Sequence, residues 1–229
     1  MWEGTIMLIV KQNIMQLVEF LQTTFQDNRS SLRTTKLHKV ILDEILRVKP
    51  EWKKYTWVIE VKDPKFDETA VNRGREYKIK QDGYGGTFDI DIAGFEGDEL
   101  IDENLKVVIL VKANNSCVGK NIKNFANTSV GEAARVFYAP NVKLEKLLFV
   151  SVLPRVSPIF ENDGNVKGFD NVISYKKRSD PSNILNAQYG NKVQVIDTYY
   201  DIGDVRNKKT KSEFSDIIVE NLDELVVNG

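Results

Sequence analysis

Apolar residues recur at helical spacing near the start of the chain and again after a short polar break. From Lys11 to Phe25 they stand at every third or fourth position, and Thr35 to Val48 repeats this pattern, with Pro50 just beyond its end. Such spacing places the apolar side chains on one face of a helix, and a proline often follows where a helix stops. The pattern therefore predicts two amphipathic helices, at residues 11–25 and 35–48.

Short apolar segments bounded by turn residues replace the helical pattern further along the chain. The strongest are residues 106–113 and 147–153, which are nearly continuous runs of Val, Leu and Ile. Runs of this length, apolar on both faces, are typical of central strands. Shorter or alternating patterns predict strands at 57–61, 77–79, 87–93 and 192–199, a loop at 114–121, and helices at 128–138 and 214–227.

Helices, a meander of strands, another helix and further strands together imply an α/β fold with a central mixed β-sheet flanked by helices on both faces. The 229 residues contain no repeat, no low-complexity tract and no obvious linker. We therefore predict a single domain over residues 1–229, with its core at about 35–160 and accessory strands and a helix at 161–229.

The composition limits the chemistry that is available. Cys117 is the only cysteine and His38 the only histidine, which excludes a disulfide within the chain and argues against structural zinc and His-based nucleophilic mechanisms. Carboxylates, lysines and a hard metal ion remain. No apolar run reaches the ~20 residues that span a bilayer, and the first ten residues lack a basic leader. These features lead us to expect a cytoplasmic protein without membrane contact.

Charge is distributed unevenly along the chain, although the net charge is only −1. Residues 82–103 carry eight acids and no base, whereas residues 112–146 carry six bases and two acids. A further four bases fall within residues 206–211. A nucleic-acid surface would therefore have to be local, since the chain as a whole is not basic.

Two acids at alternate positions and one lysine on the next strand form the most informative cluster. Asp89 and Asp91 lie on the strand predicted at 87–93, where alternate side chains point to the same side, and Lys112 ends the next strong strand. Carboxylate oxygens suit Mg²⁺, which polarises a phosphate and activates a water, while a lysine steadies the transition state. Each feature alone is typical of solvated surface residues, but together they favour metal-dependent hydrolysis.

Asparagines and basic residues crowd the segment that follows this strand. Asparagine can bond adenine bidentately and arginine can bond guanine, whereas lysine neutralises phosphates without reading sequence. A polar active-site loop without base contacts is the alternative interpretation. The candidate DNA-binding residues are Asn114, Asn115, Lys120, Asn121, Lys123, Asn124, Asn127 and Arg135.

The segments TFDIDIAG, VVILVKA, GEAAR and KLLFVSVLPRVSPIF resemble the PD-(D/E)XK nuclease superfamily, especially type II restriction endonucleases, over roughly residues 35–160. In that family an Asp begins one strand and an acid-x-Lys triplet lies on the next. Asp91 and Lys112 match the Asp and the Lys, with Asp89 as the competing Asp, and Glu44 matches an acid that some members place near the metal.

The resemblance implies a Mg²⁺-dependent, sequence-specific endonuclease that cuts double-stranded DNA as part of restriction–modification. It also implies a restriction-endonuclease-like arrangement of the sheet. A homodimer follows from this function, since symmetric cleavage of two strands needs two sites related by a two-fold axis.

Leu110 stands where the family's second acid is expected, and three explanations remain open. In the first, Glu132 on the following helix supplies the missing oxygen, as a helix glutamate does in some restriction enzymes. In the second, the chain is a catalytically inactive nuclease-fold protein, natural or engineered, that binds DNA without cutting it. In the third, Asp91, Lys112 and Asn114 form an unorthodox site.

Overall fold

A computed structural model describes residues 18, 32–59, 77–80, 87–114, 116–215 and 217–227, so the helix predicted at 11–25 lies outside the described residues except for Val18. The described helices are α1 (Leu32–Val48), α2 (Val118–Phe137), α3 (Val172–Arg178) and α4 (Ser182–Tyr189). The described strands are β1 (Thr56–Ile59), β2 (Tyr77–Lys80), β3 (Thr87–Ile90), β4 (Ile92–Phe95), β5 (Leu105–Ala113), β6 (Lys146–Pro154), β7 (Val156–Phe160), β8 (Val166–Asn171), β9 (Val193–Ile202) and β10 (Val219–Glu220).

Within the described residues, six strands form a mixed sheet in the order β1-β4-β5-β6-β9-β10. The neighbours β5, β6 and β9 run parallel, and the outer pairs run antiparallel. Two antiparallel ribbons, β2 with β3 and β7 with β8, stand apart from this sheet. The α/β class is confirmed, and the two strongest apolar runs form the adjacent central strands β5 and β6, as predicted.

Alternate residues of the central strands face two different apolar layers. On β5, Val107, Ile109 and Val111 belong to the layer that α1 covers, whereas Val108 and Leu110 belong to the layer that α2 covers. Because both faces of the sheet are covered, these strands need apolar residues at every position, which explains their continuous hydrophobic pattern.

The strand predicted at 87–93 is interrupted at Asp91, so the prediction of one continuous strand is wrong. Ile90, which ends β3, belongs to the layer under α2, whereas Ile92, which begins β4, belongs to the layer under α1. In a continuous strand Ile90 and Ile92 would face the same layer, so the alternation of side chains is broken at Asp91. The Asp91 carboxylate accepts a 2.7 Å hydrogen bond from the Val111 amide of β5, at the point where β3 ends and β4 begins.

The closing helix predicted at 214–227 is also wrong. A short 3₁₀ turn at Lys211–Phe214 leads towards β10, and residues 221–227 form neither helix nor strand. Ile217 and Val219 are buried while Ile218 between them is exposed, which is the period of a strand rather than a helix. Pairing of Val219 with Ile202 on β9 therefore overrides the apolar spacing that favoured a helix.

Several other elements differ from the sequence-based predictions. The loop predicted at 114–121 is shorter than expected, because α2 begins at Val118. The hydrophobic pattern did not predict the ribbon formed by β7 and β8, or the short helices α3 and α4.

Gly94 leaves room for an aromatic ring on the neighbouring strand. It faces Trp57 across the β1–β4 pairing, and a methyl group at this position would come within 2.8 Å of the indole. Because both residues are buried, we expect Gly94→Ala to lower the free energy of unfolding by about 1–2 kcal/mol in urea denaturation. Gly168→Ala on β8, where nothing lies within 4 Å of the added methyl, is the control. Equal losses in both variants would contradict the steric explanation.

Candidate active site

Three side chains from different elements converge at one end of the central strands. Asp91 lies at the junction of β3 and β4, Lys112 lies near the end of β5, and Glu132 lies on α2. The Lys112 Nζ atom is 3.2 Å from the Glu132 Oε1 atom and donates a hydrogen bond to it. The charge of Asp91 acts on the Glu132 carboxyl as well. The structure thus brings together the three residues that the sequence analysis named as catalytic.

The Asp91 carboxylate is held on two sides. Its Oδ2 atom accepts the hydrogen bond from the Val111 amide, and its Oδ1 atom lies 3.8 Å from the Nε2 atom of His38 on α1. His38 is buried, whereas the Asp91 side chain keeps 23% of its surface exposed. Asp91 is therefore fixed in orientation but accessible to a ligand. No spacing in the sequence would have placed His38 here.

The Glu132 carboxyl has a pKa above its ordinary value. Burial raises its pKa, the negative charge of Asp91 raises it further, and the neighbouring Lys112 and Arg135 partly offset this rise. Its side chain is 14% exposed, and its Oε2 atom is buried without a hydrogen-bond partner among the described residues. A buried carboxylate oxygen without a partner, near a second carboxylate, is an environment that a bound cation would stabilise.

Asp91 and Glu132 are therefore the residues that could hold a metal ion. The described part of the chain contains no group of three or more His, Cys, Asp or Glu side chains placed to bind one. Mg²⁺ commonly uses only one or two protein carboxylates, since it retains waters and takes further oxygens from a phosphate substrate. The donor set fits such a site in its chemistry.

The two other acids named as metal ligands lie in different surroundings. The Glu44 carboxylate on α1 accepts hydrogen bonds from the Nε and Nη2 atoms of Arg47, at 2.7–3.1 Å. Asp89 is exposed on β3, opposite Lys78 in the ribbon register. Glu44 is thus engaged in an ion pair within its own helix, and Asp91 is the aspartate whose charge reaches Glu132.

Leu110 occupies a buried position beneath α2. Ile92 pairs with Ile109, and Asp91 and Leu110 are the next residues along each strand beyond this pair. Leu110 is 3% exposed and belongs to the same apolar layer as Ala133 of α2, the residue that follows Glu132. A leucine therefore fills the strand position of the expected acid, while a carboxylate approaches from the helix.

A row of polar side chains crosses the parallel strands on the α2 side, and the sequence analysis missed most of it. The register aligns Lys112 of β5 with Ser151 of β6, and Ser151 with Asp197 of β9. Lys176 of α3 is 3% exposed, and its Nζ atom lies 2.7 Å from the Asp197 Oδ1 atom and 4.0 Å from the centre of the Phe125 ring. The only sequence signal that could have predicted this row was a polar residue near the end of each apolar strand.

A cavity of about 510 Å³ adjoins this row, between the first half of α2 and the ends of β5 and β6. Lys112, Ser151 and Lys176 contribute polar atoms to its wall, together with Asn121, Asn124 and Thr128 of α2. Apolar side chains complete the wall, mainly those of Val118, Ile122, Phe125 and Leu153.

The candidate DNA-binding residues are divided between several environments. Asn121, Asn124 and Asn127 are exposed on α2, and the first two face the cavity. The Asn114 side chain accepts a 3.3 Å hydrogen bond from the Ser116 amide in the turn after β5. The Arg135 guanidinium lies 4.8 Å from the centre of the Phe88 ring. Asn115 and the side chains of Lys120 and Lys123 lie outside the described residues.

The raised pKa of Glu132 predicts a pH dependence of stability in the metal-free protein. An acid whose pKa is higher in the folded than in the unfolded state destabilises the fold as pH rises from the unfolded pKa through the folded one. We therefore expect the free energy of unfolding of the wild type to fall relative to that of Glu132→Gln over this interval. Denaturant titrations at several pH values measure both curves, and parallel curves would contradict the assignment.

No helix in the described part of the chain is long and apolar enough to cross a membrane. Comparison of the chain with protein-family models, with curated proteins and with solved structures finds no match. The site therefore has to be interpreted from its own residues and their geometry.

Proposed function

We propose that this protein is a Mg²⁺-dependent endonuclease of the restriction type, which hydrolyses phosphodiester bonds in double-stranded DNA. The main support is the convergence of Asp91, Lys112 and Glu132, with the Lys112 and Glu132 side chains 3.2 Å apart. Two carboxylates suit a hard divalent cation, and an ammonium group suits the charge of a phosphate. The resemblance of the surrounding segments to PD-(D/E)XK nucleases suggests the same chemistry.

The position of Glu132 favours a catalytic acid that has moved from strand to helix. Leu110 leaves the strand position without a carboxylate, and Glu132 presents one to the same lysine from α2. The buried Oε2 atom of Glu132 has capacity for a further ligand. Of the three explanations for Leu110, the geometry supports the first best.

Each residue has a distinct role in this proposal. Asp91 and Glu132 would hold Mg²⁺, which stabilises charge on the phosphate and makes an attacking water more acidic. The Val111 amide fixes the orientation of the Asp91 carboxylate. Lys112 donates hydrogen bonds to the scissile phosphate or to the attacking water, and its contact with Glu132 keeps its ammonium group at the site.

The proposed substrate and assembly follow from the same site. Asn121 and Asn124 of α2 would face the duplex, since they border the cavity beside Lys112. Cleavage of both strands of a palindrome would use a homodimer, with one site for each strand.

Loss of the Lys112 ammonium tests the proposal directly. Purified protein is incubated with unmethylated phage DNA and Mg²⁺, and we expect discrete fragments from the wild type that disappear on chelation. Lys112→Ala should lower the cleavage rate by about 100-fold or more, the typical effect of removing one preorganised donor to developing charge. Lys106→Ala, on the same strand but paired with Glu96, should cut at close to the wild-type rate.

The same assay separates an active enzyme from an inactive DNA-binding protein. Fragments that appear only in Leu110→Glu would mean that the scaffold lacks its acid and that the wild-type chain binds DNA without cutting it. Circular dichroism must accompany this variant, because position 110 is buried. Equal cleavage by the wild type and Lys112→Ala, or no fragments from any variant, would contradict the proposed nuclease site.

A further inference from the structure

The cavity beside Lys112 has the size and the mixed wall of a small-molecule site. Its volume of about 510 Å³ lies within the range of ~300–1,000 Å³ that is usual for ligand pockets. Apolar side chains from α2 and β6 form part of the wall, and amide, hydroxyl and ammonium groups form the rest. Such a wall suits a ligand with a flat apolar body and polar edges.

The two lysines that line the cavity among the described residues are each paired with a carboxylate. Lys112 is paired with Glu132 at 3.2 Å, and Lys176 is paired with Asp197 at 2.7 Å. One face of the Phe125 ring is also in contact with the Lys176 ammonium group. Because each lysine that lines the cavity among the described residues already has a carboxylate partner, the wall favours a neutral heterocycle over a free anion.

Ser151 provides a hydrogen-bonding group that nothing in the described residues uses. It is 1% exposed, lines the cavity, and its Oγ atom has no hydrogen-bond partner there. A buried hydroxyl without a partner costs free energy, which a ligand with a donor or an acceptor at its edge would recover. The hydroxyl therefore points to a ligand rather than to packing alone.

We propose that this cavity is a subsite for one unpaired nucleobase of the nucleic-acid substrate. The inference rests on the proposed nuclease function, because Lys112 is shared between the cavity wall and the proposed catalytic site. A base attached to the nucleotide being cut would lie beside Lys112 once it left the stack. Ser151 would bond the edge of that base, and the asparagines of α2 would border its entrance.

Saturation-transfer difference NMR tests the subsite without cleavage. The probes are the four free 2′-deoxynucleosides, and 2-deoxyribose 5-phosphate serves as a probe that lacks a base. We expect transfer mainly to base protons and none to the sugar phosphate. Asn124→Trp should abolish the transfer because the indole fills the cavity, whereas Asn186→Trp, an exposed substitution on α4 away from the cavity, should preserve it.

A second variant probes the hydroxyl itself. Ser151→Ala removes a hydroxyl that has no hydrogen-bond partner in the described residues, so folding should be unchanged. Nucleoside affinity should fall roughly 2- to 10-fold, which corresponds to the net contribution of one hydrogen bond. Absence of base-proton transfer, equal binding of the sugar phosphate, or full binding by Asn124→Trp would overturn the subsite. Cleavage that still depends on Lys112 would show that the nuclease proposal stands without it.

Discussion

Asp91→Asn is expected to lower the rate of DNA cleavage by about a thousandfold while leaving the fold intact. The amide keeps an oxygen that can accept the hydrogen bond from the Val111 amide, so the junction of β3 and β4 is preserved. It loses the negative charge that would hold Mg²⁺. A loss of about 4 kcal/mol in transition-state stabilisation, in keeping with the several kcal/mol that a metal supplies, corresponds to roughly three powers of ten.

Asp89→Asn is the matched control, because it makes the same chemical change two residues earlier. Asp89 is exposed on β3, so this variant should cut at nearly the wild-type rate and unfold at the same denaturant concentration. Single-turnover cleavage of unmethylated phage DNA at saturating Mg²⁺ measures both variants. A larger loss in Asp89→Asn than in Asp91→Asn would exchange the roles of the two acids and would refute the assignment of Asp91 as a metal ligand.

The strands that carry this site could be predicted because both of their faces are buried. Continuous apolar runs leave little choice of structure, and β5 and β6 lie within one residue of their predicted bounds. Residues at the polar ends of such strands, such as Lys112, were correspondingly easy to name. Asp91 was predicted to lie within one continuous strand, but it interrupts that strand.

The remaining features depend on contacts between distant parts of the chain. The alignment of Ser151 with Asp197 and Lys112 needs the parallel register of three strands, which local spacing does not specify. The C-terminal segment has apolar residues at both strand and helix spacing, and only its pairing with β9 decides between them. The early start of α2 likewise depends on a remote ribbon.

The β7–β8 ribbon caps α2, and loss of this cap is the second large effect that we expect. Consecutive backbone N–H groups of Cys117, Val118 and Gly119 donate to the Pro158 carbonyl, the Ser157 hydroxyl and the Asp170 carboxylate, at 2.9, 3.4 and 2.8 Å. The N-cap residue Cys117 offers no side-chain cap of its own. The helix that presents Glu132 therefore begins where it does because the ribbon accepts its first N–H groups.

Asp170→Ala should lower the free energy of unfolding by about 2–3 kcal/mol, at the upper end for a lost cap because the carboxylate is buried. Asp170→Asn keeps an acceptor oxygen and loses only the favourable charge at the helix N-terminus, so a smaller loss of about 0.3–1 kcal/mol is expected. Urea denaturation followed by circular dichroism measures both variants. Equal losses would mean that the charge, and not the hydrogen bond, carries the effect.

Two glycines on α2 provide a comparison in which the expected signs are opposite. A methyl group on Gly119 would lie 2.8 Å from the Asp170 carboxylate, so Gly119→Ala should destabilise the protein by displacing the cap. Nothing lies within 4 Å of a methyl group on Gly131, and alanine there should stabilise the helix by up to about 1 kcal/mol. If both substitutions were stabilising, helix propensity would outweigh the Asp170 contact, and the ribbon would not determine where α2 begins.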